Sequence, residues 1–328
     1  MDVAWFDAEE WERKYLAEVE PGFEIDFYEE PLNEDNMDKA SDYDVVTVFV
    51  DSDISEKVID CFDGRMIACR STGYDHVATE YASSQGIAVC NVPEYGDSTV
   101  AEHTFGLILA LNRKIFSAIK KVQEGNFNHE GLRGHDLKGK KLGVIGTGSI
   151  GKRVIDIANS FDMDVIASDP YPDMEAANSK GFMYVSRKDL LRQADIVTLH
   201  CPLTDETDHL LSEEEFELMD STVLINTARG KLIDTDALIE GLENGSVRHA
   251  GLDVLEEEAY IEDDIEQLSK LEDRRDIETV LEDHVLMDRD DVLITPHNGF
   301  NSVEAMQRIE DMTVENIEKG RNIVNRPG

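Results

Sequence analysis

Lys141-Leu-Gly-Val-Ile-Gly-Thr-Gly-Ser-Ile-Gly-Lys152 is the stretch from which the rest of the chain can be read. Leu142 to Ile145 is a short apolar run of the kind that fills a buried strand. Gly146, Gly148 and Gly151 follow as G-x-G-x-x-G, and from Ser149 the apolar spacing turns helical through Ile150, Val154, Ile155 and Ala158. Strand, glycine turn and helix in that order suit phosphate binding. Gly146 permits a tight turn with positive φ, Gly148 lets a pyrophosphate approach the backbone, and Gly151 lets helix and strand pack closely. The N–H groups of the helix N-terminus then face the phosphates. A glycine-rich turn alone would be weak grounds, but Asp162 to Ser168 reads as the next strand. Asp169 ends it, where an acid bonds a ribose 2′-OH and repels a 2′-phosphate. The expected cofactor is therefore NAD rather than NADP, and Pro170-Tyr171 brings no basic side chain to reverse that.

The chain has 328 residues, 41% of them hydrophobic, which suits one large domain or two medium ones with a sizeable core. Its charge is extreme: 71 acidic against 31 basic residues, net −40. Such a surface repels nucleic acid and anionic membranes, so neither is an expected partner. Apolar periodicity persists through most of the chain, which argues against disorder. Because the acids are spread along the sequence, they read as a solvated surface adapted to a salt-rich cytoplasm, and thus as a halophilic source. Cys61, Cys69, Cys90 and Cys201 include no C-x-x-C pair and are expected to be free thiols in a reducing cytoplasm. No metal site is expected. Met1 to Glu20 is acidic and lacks the apolar core of a signal peptide, and no apolar stretch approaches membrane-spanning length.

Residues 1–100 alternate between strand-like runs (Val3–Phe6, Phe23–Phe27, Val45–Val50, Met66–Cys69, Ile87–Cys90) and helical ones (Glu9–Glu18, Ser55–Phe62, Val77–Ser84). That alternation predicts a parallel α/β sheet, in which ligands gather at the C-terminal strand ends. Arg70-Ser-Thr-Gly-Tyr74 and Asn91-Val-Pro-Glu-Tyr95 fall at such ends. The first is either an anion-binding loop opened by Gly73 or an ordinary strand-to-helix connection. Ser98 to Lys121 predicts one long buried helix, with Asp97 or Ser98 as its N-cap. A second doubly wound set follows, with strands at Leu142–Ile145, Val165–Ala167, Ile196–Leu199, Val223–Ile225, Ala250–Leu252 and Val292–Ile294. Helices are expected near Met174–Ser179, Arg187–Arg192, Ser212–Leu218 and Asp234–Glu243. Glu256 to Asp291 is so acidic that a solvated surface excursion is expected, with a helix near Ile261–Leu271. The last predicted helix is Val303–Ile323.

Three polar segments follow strands of the second set: Thr227-Ala-Arg-Gly230, Asp253 through Glu258, and Pro296-His-Asn-Gly299. They should converge where a nicotinamide would lie. Hydride transfer to a carbonyl needs an acid for the nascent alkoxide and a cation for a substrate carboxylate or the polarised C=O. His297, a neighbouring carboxylate and Arg229 supply that set. Arg229 can grip a carboxylate bidentately, which lysine cannot. His200 also ends a strand, as a loop histidine or as part of the cofactor pocket. His103, on an apolar helix, reads as a satisfied core histidine.

In this order the motifs resemble the D-isomer-specific 2-hydroxyacid dehydrogenases across nearly the whole chain. The matching stretches are Arg70–Asp75, Val100–His103, Gly146–Gly151 with Asp169, His200-Cys-Pro202, Asn226–Gly230, Leu252–Val254 with Glu258, and Thr295-Pro-His297. The resemblance implies Arg229, Glu258 and His297 as catalytic residues. It implies cofactor contacts at Ser149, Ile150, Asp169, Cys201, Pro202, Thr207, Thr227, Ala228 and Asp253, beside the Gly146, Gly148 and Gly151 turn. Thr72 and Gly73 would clamp the substrate carboxylate through their backbone. Residues 1–100 and 299–328 would form the substrate domain, 101–298 the NAD-binding Rossmann domain, and the enzyme would be a homodimer. Asn91–Tyr95 and His297-Asn-Gly-Phe300 look most like the D-lactate dehydrogenase branch, in which Tyr95 and Phe300 would line the substrate pocket. Small 2-keto acids such as pyruvate are the expected substrates, with 2-ketoisocaproate-like or bulkier acids left open by the lack of an aromatic at Asp51–Ile54. The Glu258-to-His297 spacing is longer than is usual in the family. An end at Gly328 without a regulatory domain points away from the phosphoglycerate dehydrogenases, and Glu258 in place of a glutamine points away from the formate dehydrogenases. The alternative from another class is an NAD(H)-sensing, corepressor-like binding protein, because such relatives keep the same triad.

Overall fold

The computed structural model describes residues 1–258 and 274–325, and the side chains of all of these except 274–278. The chain divides into two compact units, Met1–Tyr95 with Asn301–Gly328, and Gly96–Phe300. Each is a parallel sheet with helices, as the alternation of strand and helix predicts.

The first unit carries β1 (Asp2–Trp5), β2 (Glu24–Phe27), β3 (Val45–Val48), β4 (Met66–Cys69) and β5 (Ala88–Cys90), paired in parallel in the order β2-β1-β3-β4-β5. β3 and β4 are buried at every residue. They read as unbroken apolar runs because helices cover both faces of the sheet. Alternation along β1 sorts the two cores: Val3 and Trp5 pack with Leu16 and Ile317, while Ala4 packs with Val46 and Ile67 on the other face. The helices are α1 (Glu10–Val19), α2 (Glu56–Asp60), α3 (Thr79–Ser84) and the last helix of the chain, α12 (Val303–Lys319). Ser302 caps the start of α12, accepting from the Ala305 amide, and Gly320 in the left-handed region ends it before the expected Ile323. At the core of this unit the Arg70 guanidinium bonds Glu12 of α1 and the Phe6 carbonyl. It lies 3.6 Å from Glu310 of α12 and over the rings of Trp5 and Phe49.

The second unit carries β6 (Lys141–Ile145), β7 (Asp164–Ser168), β8 (Met183–Tyr184), β9 (Ile196–Leu199), β10 (Thr222–Asn226), β11 (Val247–Leu252) and β12 (Val292–Ile294). Their order is β12-β11-β10-β9-β6-β7-β8, again parallel. The chain winds from β6 out to β8 and returns to β9, so the switch point lies between the ends of β6 and β9. The helices are α4 (Asp97–Asn112), α5 (Ile115–Gln123), α6 (Ser149–Ser160), α7 (Met174–Lys180), α8 (Arg187–Gln193), α9 (Glu213–Phe216), α10 (Thr235–Asn244) and α11 (Arg274–Met287). The two-residue edge strand β8 was too short for any pattern to announce it.

Two expectations need correction. The single helix over Ser98–Lys121 is two helices, and Gly96, not Asp97 or Ser98, is the N-cap of the first. Lys114 takes a φ of +50°, and the Asn112 carbonyl, which a continuing helix would use, instead accepts from the His135 amide at 2.8 Å. The acidic run Glu256–Asp291 is not a wholly solvated excursion. Its second half is α11, whose Thr279, Val280, Asp283 and Leu286 are buried along one stripe, with Leu286 in the sheet's core cluster. The helix expected near Ile261–Leu271 lies outside the described residues.

Candidate active site

The β6–α6 turn is built for close approach. Gly146 has a φ of +92°, and a Cβ there would lie 2.5 Å from the His200 carbonyl oxygen, so the turns after β6 and β9 meet only because this residue is glycine. A Cβ at Gly151 would lie 2.1 Å from the Gly146 carbonyl, which is the tight helix-to-strand packing anticipated from the motif. Gly148 faces open space, and no side chain caps the N-terminus of α6. The backbone amides around Ser149 and Ile150 are thus available to a phosphate. Asp169 follows β7. Burial works to raise its carboxyl, but hydrogen bonds from the Thr147 amide, the Tyr171 amide and the Thr147 hydroxyl outweigh it, and the acid is held below its ordinary value. An ionised acid at the strand end suits a ribose diol, so these residues fit NAD. One basic group escaped the sequence reading: Lys152, one turn into α6, adds to the pull on Asp169 and is itself paired with Asp173 at 2.6 Å.

After β9, burial pushes the His200 imidazole down to about 3, so it is neutral, and its Nε2 lies 2.9 Å from the Thr198 hydroxyl. Burial likewise raises the Cys201 thiol to about 11. Thr207 closes the Cys201–Thr207 turn by donating to the Pro202 carbonyl at 2.7 Å. Thr227 lies 3.0 Å from the Thr104 hydroxyl of α4. The amide of Ala228 donates to Asn226, whose side chain also donates to the Arg229 carbonyl, so one asparagine shapes the turn that presents Arg229.

Glu258 and His297 meet. Glu258 Oε1 lies 2.8 Å from His297 Nδ1, while its Oε2 accepts from the Leu255 amide at 3.2 Å. Burial pushes the His297 imidazole down, but the Glu258 hydrogen bond and charge prevail over it and over the repulsion of nearby Arg229, and the ring is held above its ordinary value. The turn carrying Glu258 is tethered through its other two glutamates as well. Glu256 takes hydrogen bonds from His209 and Thr235, and Glu257 pairs with Lys231 at 2.8 Å. A Cβ at Gly230 would lie 1.8 Å from the Leu255 carbonyl, so the Arg229 turn and the Glu258 turn are in direct contact.

Asp253 organises the loop that carries His297. Its Oδ1 accepts from the Thr295 hydroxyl (2.5 Å) and the Asn298 amide (2.9 Å), and its Oδ2 from the Gly299 amide (2.7 Å). Its own carbonyl accepts from the His297 amide at 2.8 Å. These bonds hold His297 at a φ of +46°, a left-handed conformation that a histidine adopts at some cost. His103 was undervalued as a core residue: its Nε2 lies 3.2 Å from Asp253 and 3.0 Å from Thr295, behind the same loop. Only its place on α4, opposite β11 and β12, reveals this. The Phe300 ring stands edge-on to His297 at 6.2 Å.

In the first unit, Thr72 and Gly73 sit on a firmly bonded loop. The Asn91 side chain donates to the Thr72 carbonyl, the Thr72 hydroxyl to the Val92 carbonyl, and the Ser71 hydroxyl to the Gly73 carbonyl. Tyr95 is buried, and its carbonyl accepts from Arg308 at 2.8 Å.

The chain and its fold are similar to known proteins. The family model described as the D-isomer specific 2-hydroxyacid dehydrogenase NAD binding domain matches residues 105–299. The D-lactate dehydrogenase of Escherichia coli (strain K12) is 37% identical, with 99% of each chain covered. Among solved structures, the D-lactate dehydrogenase of Aquifex aeolicus, complexed with NAD and lactic acid, superposes with a TM-score of 0.87 at 30% identity, covering 99% of this chain and 100% of that one. The pyruvate reductase of Chlamydomonas reinhardtii gives a TM-score of 0.86 at 33% identity, covering 99% and 98%.

Proposed function

The chain belongs to the D-isomer-specific 2-hydroxyacid dehydrogenase family, and on that premise we propose that it reduces small 2-keto acids to D-2-hydroxy acids, reversibly. Pyruvate is the first candidate, because relatives that cover nearly the whole chain are named for lactate or pyruvate. The observation that carries the proposal is the Glu258–His297 contact at 2.8 Å with Arg229 close by. Nδ1 of His297 is engaged by Glu258, which leaves Nε2 to give a proton to the new alkoxide and to recover it in the reverse direction. Glu258 favours the charged imidazole and, in the neutral ring, the tautomer that carries its proton on Nδ1. In the second unit Arg229 holds the substrate carboxylate and Phe300 stands beside His297; in the first unit the Thr72 and Gly73 amides are proposed as carboxylate-binding groups and Tyr95 as a residue that selects substrate size. The Gly146–Gly151 turn, Asp169 and the turns after β9 and β10 would hold the cofactor, which as NADH would supply the hydride for reduction.

The expected homodimer has support in α5. Its Ile115, Phe116, Ile119 and Val122 are all exposed, as is Phe127, an apolar surface that a second copy would cover. Sedimentation of the purified protein reports that assembly. No helix among the described residues is long and apolar enough to cross a membrane, and all four cysteines are free thiols, which accords with the proposed cytoplasmic location. The test of function is NADH oxidation with glyoxylate, pyruvate, 2-ketoisocaproate and phenylpyruvate in high-potassium buffer. Turnover of at least one acid, lost in His297→Ala while NADH still binds, is the expected result. Silence across the panel, or wild-type turnover in that variant, refutes the reading.

A further inference from the structure

Asp283 is a residue the mechanism above does not use, and its place is anomalous. It lies in the middle of the buried stripe of α11, between Val280 and Leu286, where helical spacing calls for an apolar side chain. Its relative exposure is 0%. A carboxyl group in that position has to be compensated, and among the described residues one bond does so: Oδ2 accepts from the backbone amide of Glu257 at 3.3 Å, while Oδ1 has no hydrogen-bond partner there. The bond ties α11 to the turn that carries Glu258.

We propose that Asp283 is a positioning residue for the Glu258–His297 pair, holding the Leu255–Glu258 turn in register through the Glu257 amide. The inference rests on the proposed roles of Glu258 and His297. Three features of the turn favour it. The side chains of Glu256, Glu257 and Glu258 are all engaged elsewhere, by His209 and Thr235, by Lys231, and by His297. The Glu257 amide is thus the point at which α11 grips the turn from its buried side. Glu258 itself folds back on the Leu255 amide, so a shift of the backbone at Glu257 moves the carboxylate that meets His297. A displacement of about 1 Å in a catalytic group is costly in rate.

The groups facing Asp283 favour its uncharged form. From the turn come Glu256, Glu257 and Glu258, all of one sign. From α10 the charged residues Asp236, Glu240 and Glu243 point to solvent, and β12 carries no charge. On α11 itself, Glu282 is half-buried and His284 is exposed. Burial raises the Asp283 carboxyl to about 7, the Glu257 amide opposing and the three glutamates adding to the rise. Its neutral form therefore persists into the neutral range, and an asparagine reproduces that form: no charge, one carbonyl oxygen for the Glu257 amide.

The experiment compares Asp283→Asn and Asp283→Leu in the intact enzyme with pyruvate and NADH, alongside Glu258→Gln and His297→Ala. The asparagine variant is expected to keep kcat within about twofold of wild type, and the leucine variant to lose about tenfold or more in kcat, with NADH affinity unchanged. Leucine completes the apolar stripe, so its Tm is expected to equal or exceed that of the wild type while kcat falls, a split that a purely structural role does not produce. A leucine variant with wild-type kcat, or an asparagine variant that falls with it, overturns the inference. If the leucine variant does not fold, Asp283→Ala takes its place against the same two outcomes. Should Glu258→Gln and His297→Ala retain full turnover, the proposed catalytic pair fails as well. If those two lose activity and the Asp283 variants do not, only the role of Asp283 is refuted.

Discussion

Replacing Glu258 with glutamine removes one charge and keeps the shape of the side chain, so it isolates what the carboxylate does to His297. Two charges about 4 Å apart in an effective dielectric of about 20 interact by roughly 4 kcal/mol. This pair is not fully buried: the side chains are 31% and 39% exposed for His297 and Glu258. Water and salt therefore screen it, and about 1–1.5 kcal/mol is the reasonable remainder, or roughly one pH unit. The direction follows from the opposing influences on the ring. Burial lowers the His297 pKa, Glu258 raises it, Arg229 lowers it and Asp253 raises it. Without the Glu258 charge, burial and Arg229 prevail and the pKa drops. Keto-acid reduction requires protonated His297, so the alkaline limb of kcat/KM for reduction moves to lower pH by about one unit. Hydroxy-acid oxidation requires the neutral ring, so its acid limb moves to lower pH as well. Well above both pKa values the reduction rate falls about tenfold from protonation alone, and by less at neutral pH. The assay is steady-state reduction and oxidation from pH 5 to 10 with saturating cofactor. A reduction profile whose alkaline limb stays in place, or moves upward, refutes the reasoning.

Three other outcomes are expected. Gly230→Ala places a Cβ 1.8 Å from the Leu255 carbonyl and must push the Arg229 and Glu258 turns apart by more than about 1 Å. Its kcat should fall about a hundredfold, and NADH binding measured by fluorescence should weaken less, since the glycine turn after β6 is untouched while Thr227 and Ala228 lie on the displaced turn. In the first unit, burial is the main reason the Glu310 carboxyl stands well above its ordinary value, with Arg70 opposing and Glu12 adding to the rise. Urea unfolding should therefore register about 1 kcal/mol or less for Glu310→Gln, against about 3–5 kcal/mol for Arg70→Met, which strips Glu12 of its buried partner. Finally, a net charge of −40 implies strong self-repulsion, so Tm should climb steeply as KCl rises from about 0.1 to about 1 M and the screening length falls from about 10 to about 3 Å. A Tm indifferent to salt would remove the case for a halophilic surface.

The parallel α/β class, the glycine turn and the acid at Asp169 were legible in the sequence because each is local. Strands covered on both faces are continuous apolar runs, as in Val45–Val48 and Met66–Cys69, and a phosphate-binding turn needs its glycines within a few residues of one another. The same holds for His297 and Arg229, which stand just beyond strand ends where sheet topology gathers ligands. The residue pattern left open which groups touch; the resemblance alone pointed to Glu258 and His297, and the tertiary structure brings them together. Glu258 and His297 are 39 positions apart and meet at 2.8 Å because their turns follow the neighbouring strands β11 and β12. Whether Glu256, Glu257 or Glu258 met the histidine depended on how that turn folds against Gly230, Lys231 and Thr235, and no periodicity records that. The break at Lys114 arose in the same way, from the carbonyl of Asn112 being claimed by an amide 23 residues downstream. Composition favoured a solvated Glu256–Asp291, because a count of acids cannot separate the exposed faces of α11 from its buried stripe. His103 reads as a core residue and Asp283 as part of a solvated run, and only packing shows that each bonds the loop or turn carrying one member of the Glu258–His297 pair.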